Sequence, residues 1–187
     1  MTTDATTFTA LQRLLHWLMA IALLAMLFVG AGMVSTIAPK YLPLVTGHKT
    51  LGIAILVLAL LRLGVRLRYG APPLPASMPG PMKLAARLSH YALYALMIAM
   101  PLIGWGMLSA AAYPVVLFGN VRLPPILPQS DALHTLLRTA HGCLGYAFFA
   151  LILLHIAAAL YHALVRRDGV FESMASVSAG DRRVAAE

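Results

Sequence analysis

Four uninterrupted apolar runs, each long enough to cross a lipid bilayer, limit what this chain can fold into more than any other feature. They cover approximately residues 12–34, 48–68, 86–109 and 134–165, and a spanning helix needs about 20 such residues. Charged residues make up only 11% of the 187 positions and hydrophobic ones 60%, whereas a water-soluble domain carries about 25% charge. Lipid is therefore the expected solvent. The expected fold is all-α: an integral membrane four-helix bundle forming a single transmembrane domain over 1–187, with 168–187 as a polar tail. No internal repeat or second domain is visible.

The connections support this division. Residues 39–47, PKYLPLVTG, read as a short Pro-containing turn, and 68–83, RYGAPPLPASMPGPMK, are too rich in proline to continue a helix. The third connection, roughly 110–132, holds Pro114, Pro124, Pro125 and Pro128. It is the longest, and long ordered loops are often functional. Pro101 falls inside the third run and should kink it, which neighbouring helices tolerate.

Charge sets the orientation. The formal net charge of +8 does not indicate nucleic acid, because the basic residues flank apolar runs instead of forming an aromatic-interleaved patch. Ten basic residues (Arg13, Arg62, Arg66, Arg68, Lys83, Arg87, Arg166, Arg167, Arg182 and Arg183) fall on the side of the two termini. Four (Lys40, Lys49, Arg122 and Arg138) fall on the other. The positive-inside rule then puts both termini in the cytoplasm. The first dozen residues hold Asp4 and no basic cluster, so the first run is expected to be retained and not cleaved as a signal peptide. The single cysteine, Cys143, excludes an intramolecular disulfide framework and a Cys-based metal site.

Seven histidines lie in or at the edges of the runs: His16, His48, His90, His134, His141, His155 and His162. Ionisable residues inside a membrane are costly and mark functional sites by default. A lone histidine there can simply bridge two helices, but the spacing argues for more. His141, His155 and His162 are 14 and 7 residues apart, and at 100° per residue they share one helix face to within about 40°. His141 and His155 are separated by about 21 Å along the axis, too far to share one metal, so two stacked sites are implied. His48 lies level with His141, while His16 and His90 sit at the depth of His155 and His162.

Facing imidazoles from a bundle are a standard axial clamp for haem iron. Gly52 and Gly145 each follow a histidine by four residues and leave room for a macrocycle or for close helix packing. Phe148, between His141 and His155, reads as core filling. Zinc or another d-metal is the competing occupant. The six acidic residues (Asp4, Asp131, Asp168, Glu172, Asp181 and Glu187) all lie outside the runs, however, which would leave a buried dication poorly neutralised. Haem brings its own dianionic ring.

Four segments carry a resemblance to a known family: LQRLLHWLM around His16, GHKTLGIAILVLALLRLGVRLRY from Gly47, LAARLSHYALYALMIAMPLIGW around His90, and HGCLGYAFFALILLHIAAALYH from His141 to His162. Together they resemble the bacterial four-helix di-haem cytochrome b-561 family over about residues 10–166. That resemblance implies a protein of the bacterial inner membrane with two haem b groups and ubiquinone as electron acceptor. It implies His48 and His141 as ligands of the outer haem iron and His16 and His155 as ligands of the inner one. His90 and His162 would then lie beside the quinone. Depth alone leaves His90/His162 open as the inner ligand pair.

Some members of the family are superoxide oxidases, which pass an electron from periplasmic superoxide to ubiquinone. Such a reaction calls for a positive outer vestibule. Lys49 beside His48 and Arg138 one turn before His141 are the candidate catalytic residues, with interfacial snorkelling as the alternative role. The competing functions are an electron-transfer subunit served by a periplasmic protein donor, and a metal transporter using the histidine column.

Overall fold

The computed structural model describes residues 7–35, 39 and 41–175. Its helices are α1 (Ala10–Val34), α2 (Tyr41–Tyr69), α3 (Gly80–Ala110), α4 (Asp131–Tyr161) and a short α5 (Val170–Ala175). Four of them, with α4 running on to Arg166, are long and apolar enough to cross a membrane. Large apolar side chains point outward along them, Phe28 at 79% and Tyr146 at 75% exposure. That would be costly in water and is the ordinary condition against lipid.

Local chemistry fixes the helix ends. Thr9 caps α1 reciprocally: its Oγ1 accepts from Gln12 N–H and its own N–H donates to Gln12 Oε1, the capping-box pattern. Gln12 Nε2 also donates to the Gly70 carbonyl at 2.7 Å, fastening the start of α1 to the end of α2. Gly70 itself sits at φ +71° and closes α2 by donating to the Arg66 carbonyl, a conformation that favours glycine after a helix. Ser130 caps α4 by accepting from Leu133 N–H.

Three boundaries depart from the sequence expectation. Helix α2 begins at Tyr41 and absorbs Pro43, because a helix's first turn has no internal partner for the missing N–H. Helix α3 begins at Gly80, with Pro81 accommodated in its first turn. The third connection holds an antiparallel ribbon, β1 (Val115–Leu117) and β2 (Val121–Leu123), with Val115 opposite Leu123. Phe118 and Gly119, both at positive φ, make its turn.

The segment expected as a polar tail also has structure up to residue 175. After α4 the chain makes a π turn over His162–Arg166, passes through Arg167 at φ +48°, and returns as α5. There Phe8 N–H donates to the Ser173 carbonyl and Trp17 Nε1 to the Met174 carbonyl. Lys40 and residues 176–187 lie outside the described residues.

The core is a middle layer. Met19, Ile55, Ala59, Leu93, Tyr94, Met97, Phe148 and Ile152 form one buried cluster contributed by all four long helices. Helix α1 packs on α2, α2 on α3 and α3 on α4, but among the described residues neither α1 nor α2 packs its backbone closely on α4. The paired histidines span the wider gap between α4 and these two helices.

Candidate functional site

At the hairpin end of the bundle, His48 of α2 faces His141 of α4 with ring centroids 6.1 Å apart and planes at 70°. The Nδ1 atoms of both are buried without a hydrogen-bond partner, although leaving a buried polar atom unmatched costs about 1–3 kcal/mol. A metal bonds imidazole nitrogen at about 2 Å, and adding roughly 1 Å from each nitrogen to its ring centre puts two axial rings about 6 Å apart. The pair stands at that separation.

An open, mostly apolar cleft lies beside it, lined by His48, Lys49, Gly52, Met100, Gly104, Trp105, Val115 and His141 among others. Trp105 is held there by donating from Nε1 to the Pro124 carbonyl, so the proline-rich connection helps to shape the wall. Glycines on the facing helices make the space. A Cβ on Gly104 would stand 3.2 Å from His141 Cε1, and one on Gly30 would stand 3.8 Å from His48 Cε1.

Gly52 and Gly145 were expected to leave room beside the histidines. Gly52 lines this cleft, and a Cβ on Gly52 or Gly145 would meet only a flexible methionine tip, Met26 or Met100, at 3.7 Å. Gly30 and Gly104 escaped notice because their partners lie on other helices, where no spacing rule reaches.

One leaflet away, His16 of α1 and His155 of α4 have centroids 6.3 Å apart, again the bridging distance. His90 of α3 approaches His155 more closely, at 5.4 Å. Its Nδ1–H donates to the Ala86 carbonyl at 2.6 Å. His162 is held elsewhere: its Nδ1 lies 2.8 Å from Asp168 Oδ2, which also accepts from Arg166 Nε at 2.8 Å. Among the described residues no ring contact joins His162 to His90. The π turn and the left-handed Arg167 bring Asp168 back onto His162. Burial raises the Asp168 carboxyl pKa, but hydrogen bonds from Arg166 and His162 outweigh it and hold the group below the usual carboxylate range.

The remaining expected residues separate. Lys49 lines the hairpin-end cleft, whereas Arg138 is exposed and is not part of its lining. Arg122 is exposed on β2. His134 donates from Nδ1 to the Met107 carbonyl, tying α4 to α3. Phe148 sits in the core cluster between the two histidine levels, as expected.

Among the described residues no group of three or more His, Cys, Asp or Glu side chains could enclose a bare metal ion. Two-imidazole clamps beside open, apolar space suit a metal already held in a flat ring.

Residues 7–176 match the family model described as prokaryotic cytochrome b561. The chain belongs to the prokaryotic cytochrome b561 family. It is accordingly a bacterial membrane protein that binds b-type haem and carries electrons. Among its relatives is a protein from Yersinia pestis named "Probable superoxide oxidase CybB", 34% identical over 128 residues, which span 68% of this chain and 72% of that one. Two proteins of Escherichia coli (strain K12) are also similar. "Cytochrome b561 homolog 2" is 29% identical over 175 residues, 89% of each chain. "Cytochrome b561 homolog 1" is 27% identical over 169 residues, 89% of this chain and 96% of the relative. The residues present fit b-type haem: two imidazole couples at the separation a shared iron needs, and glycines against the rings of the His48–His141 couple.

Proposed function

We propose that this cytochrome b561 oxidises superoxide on the periplasmic side and reduces ubiquinone within the membrane, using two b haems per chain. His48 and His141 would hold the outer haem and His16 and His155 the inner one, with both termini cytoplasmic and the whole chain one transmembrane domain. The observation that carries this reading is the pair of imidazole couples, 6.1 and 6.3 Å apart, at two depths on one face of α4. The shorter His90–His155 distance and the Asp168 contact of His162 favour His16 over the other candidates as the partner of His155. The Yersinia relative's name supports superoxide as the substrate.

The haems supply the one-electron chemistry between superoxide and ubiquinone; the protein supplies binding, orientation and charge. Two superoxide anions, one ubiquinone and two protons give two dioxygen molecules and one ubiquinol. Lys49, in the wall beside both outer imidazoles, supplies positive charge that concentrates a small anion where it must react. Arg138, exposed one turn before His141, adds to the field at longer range. At the cytoplasmic end His90 has its Nδ1–H committed to Ala86, so its Nε2 is free to accept or deliver a proton. His162, its Nδ1 held by Asp168, is placed to do the same from Nε2.

The test is reduction of the purified protein by generated superoxide with a ubiquinone analogue as acceptor. Reduction should be fast, should slow as ionic strength rises, and should fall several-fold in Lys49→Gln with haem content unchanged. Reduction only by a periplasmic protein donor would refute the superoxide assignment.

A further inference from the structure

Two guanidinium groups lie together beside one tyrosine ring. Arg62 and Arg66, four residues apart on α2, both lie over the Tyr94 ring, at 5.5 and 6.0 Å. Among the described residues no ion pair within 4.0 Å joins either arginine to a carboxylate. Two like charges one helical turn apart repel, and cations inside a membrane are ordinarily paired. Phe8, Gln12, Arg62, Arg66, Tyr94 and Met174 line a small cleft at this place.

The contact Arg62 does make is chemically provisional. Its Nη2 donates to His16 Nδ1 at 2.7 Å, and arginine can only donate. A neutral His16 that accepts at Nδ1 carries its hydrogen on Nε2, and a protonated nitrogen cannot bind iron. The contact and iron ligation through Nε2 exclude one another.

We propose that Arg62 and Arg66 bind the carboxylates carried on the edge of the inner tetrapyrrole, Arg62 leaving His16 Nδ1 as that ring enters. The inference rests on the assignment of an inner haem to His16 and His155. An anion that arrives with the metal resolves both anomalies together: it pairs the two cations and frees the imidazole to hold its hydrogen on Nδ1. Arginine's planar fork suits carboxylate bidentately. A phospholipid phosphate is the other source of negative charge. Arg62 Nη2, however, reaches His16 Nδ1 at 2.7 Å and so lies at the level of the inner imidazole pair.

The experiment uses the whole protein purified with its haems, the haem carboxyl carbons being isotopically labelled. Redox-difference infrared spectra and spectroelectrochemical potentials are compared for wild type, Arg62→Gln and Arg62→Lys, in neutral and in anionic lipid. The proposal expects two haems per chain throughout. In Arg62→Gln the labelled carboxylate bands should shift and one haem's potential should become more negative, with Arg62→Lys in between and lipid charge without effect. Unchanged bands and potentials in Arg62→Gln would overturn it. So would a potential that follows anionic lipid while the labelled bands stay still, which would identify a lipid phosphate. A wild-type preparation with one haem per chain would instead overturn the two-haem assignment beneath it.

Discussion

A buried imidazole must account for two nitrogens, and how each histidine does so separates their roles. His90, His134 and His162 spend Nδ1 on a carbonyl or a carboxylate, while no partner lies within hydrogen-bond geometry of Nδ1 in His48 or His141. Room for a ligand beside His141 depends on Gly104. A Gly104→Val substitution should therefore expel the imidazole and remove the outer haem while sparing the inner one, read as loss of about half the Soret absorbance per protein. Gly52→Ala, meeting only the tip of Met26 at 3.7 Å, should leave both.

Asp168 offers a second test at this scale. Its folded pKa is lowered, so its ionic contacts stabilise the fold at pH above the unfolded carboxyl value of about 3.9 and are lost as pH falls through the lower folded value. Asp168→Asn should flatten the acid side of the thermal-stability profile below about pH 5 and leave the neutral haem spectrum intact.

The histidines were legible because an ionisable side chain stands out in an apolar run. Gly104, Arg62 and Asp168 were not. Their significance lies in contacts across helices or around a π turn, which residue spacing does not encode.

At the level of elements, the four spans followed from length and apolarity, but their ends did not. Pro43 and Pro81 look like breakers, yet each sits in a first turn where a missing N–H is harmless. The ribbon at 115–123 is too short to show a strand period inside a proline-rich connection. Residues 170–175 form a helix against the π turn and α4, with Ser173 and Met174 carbonyls accepting from Phe8 and Trp17, contacts absent from their own composition.

The fastening at the start of α1 gives the prediction at this scale. Gln12 is buried, completes the cap with Thr9 and holds Gly70. Gln12→Ala should cost about 1–3 kcal/mol, the price of unmatched buried groups. It should appear as a lower midpoint of thermal unfolding in detergent.

At the scale of the molecule, and among the described residues, α1 packs on α2, α2 on α3 and α3 on α4, while the imidazole pairs cross from α1 and α2 to α4. The middle layer around Phe148 and Ile152 lies between the two levels, so each level is a separate compartment with its own imidazole pair. The separation divides labour between the two ends of the bundle. The hairpin end offers Lys49 and an open cleft, and the opposite end offers His90, His162 and the arginine pair.

The most direct test of this arrangement is the haem-to-protein ratio, taken by pyridine haemochrome assay on wild type, His141→Ala and His155→Ala. Two haems b per chain in the wild type and one in each variant, with distinct reduced spectra for the two survivors, are the predicted result. A wild type holding fewer than two, or variants that keep both, would contradict it.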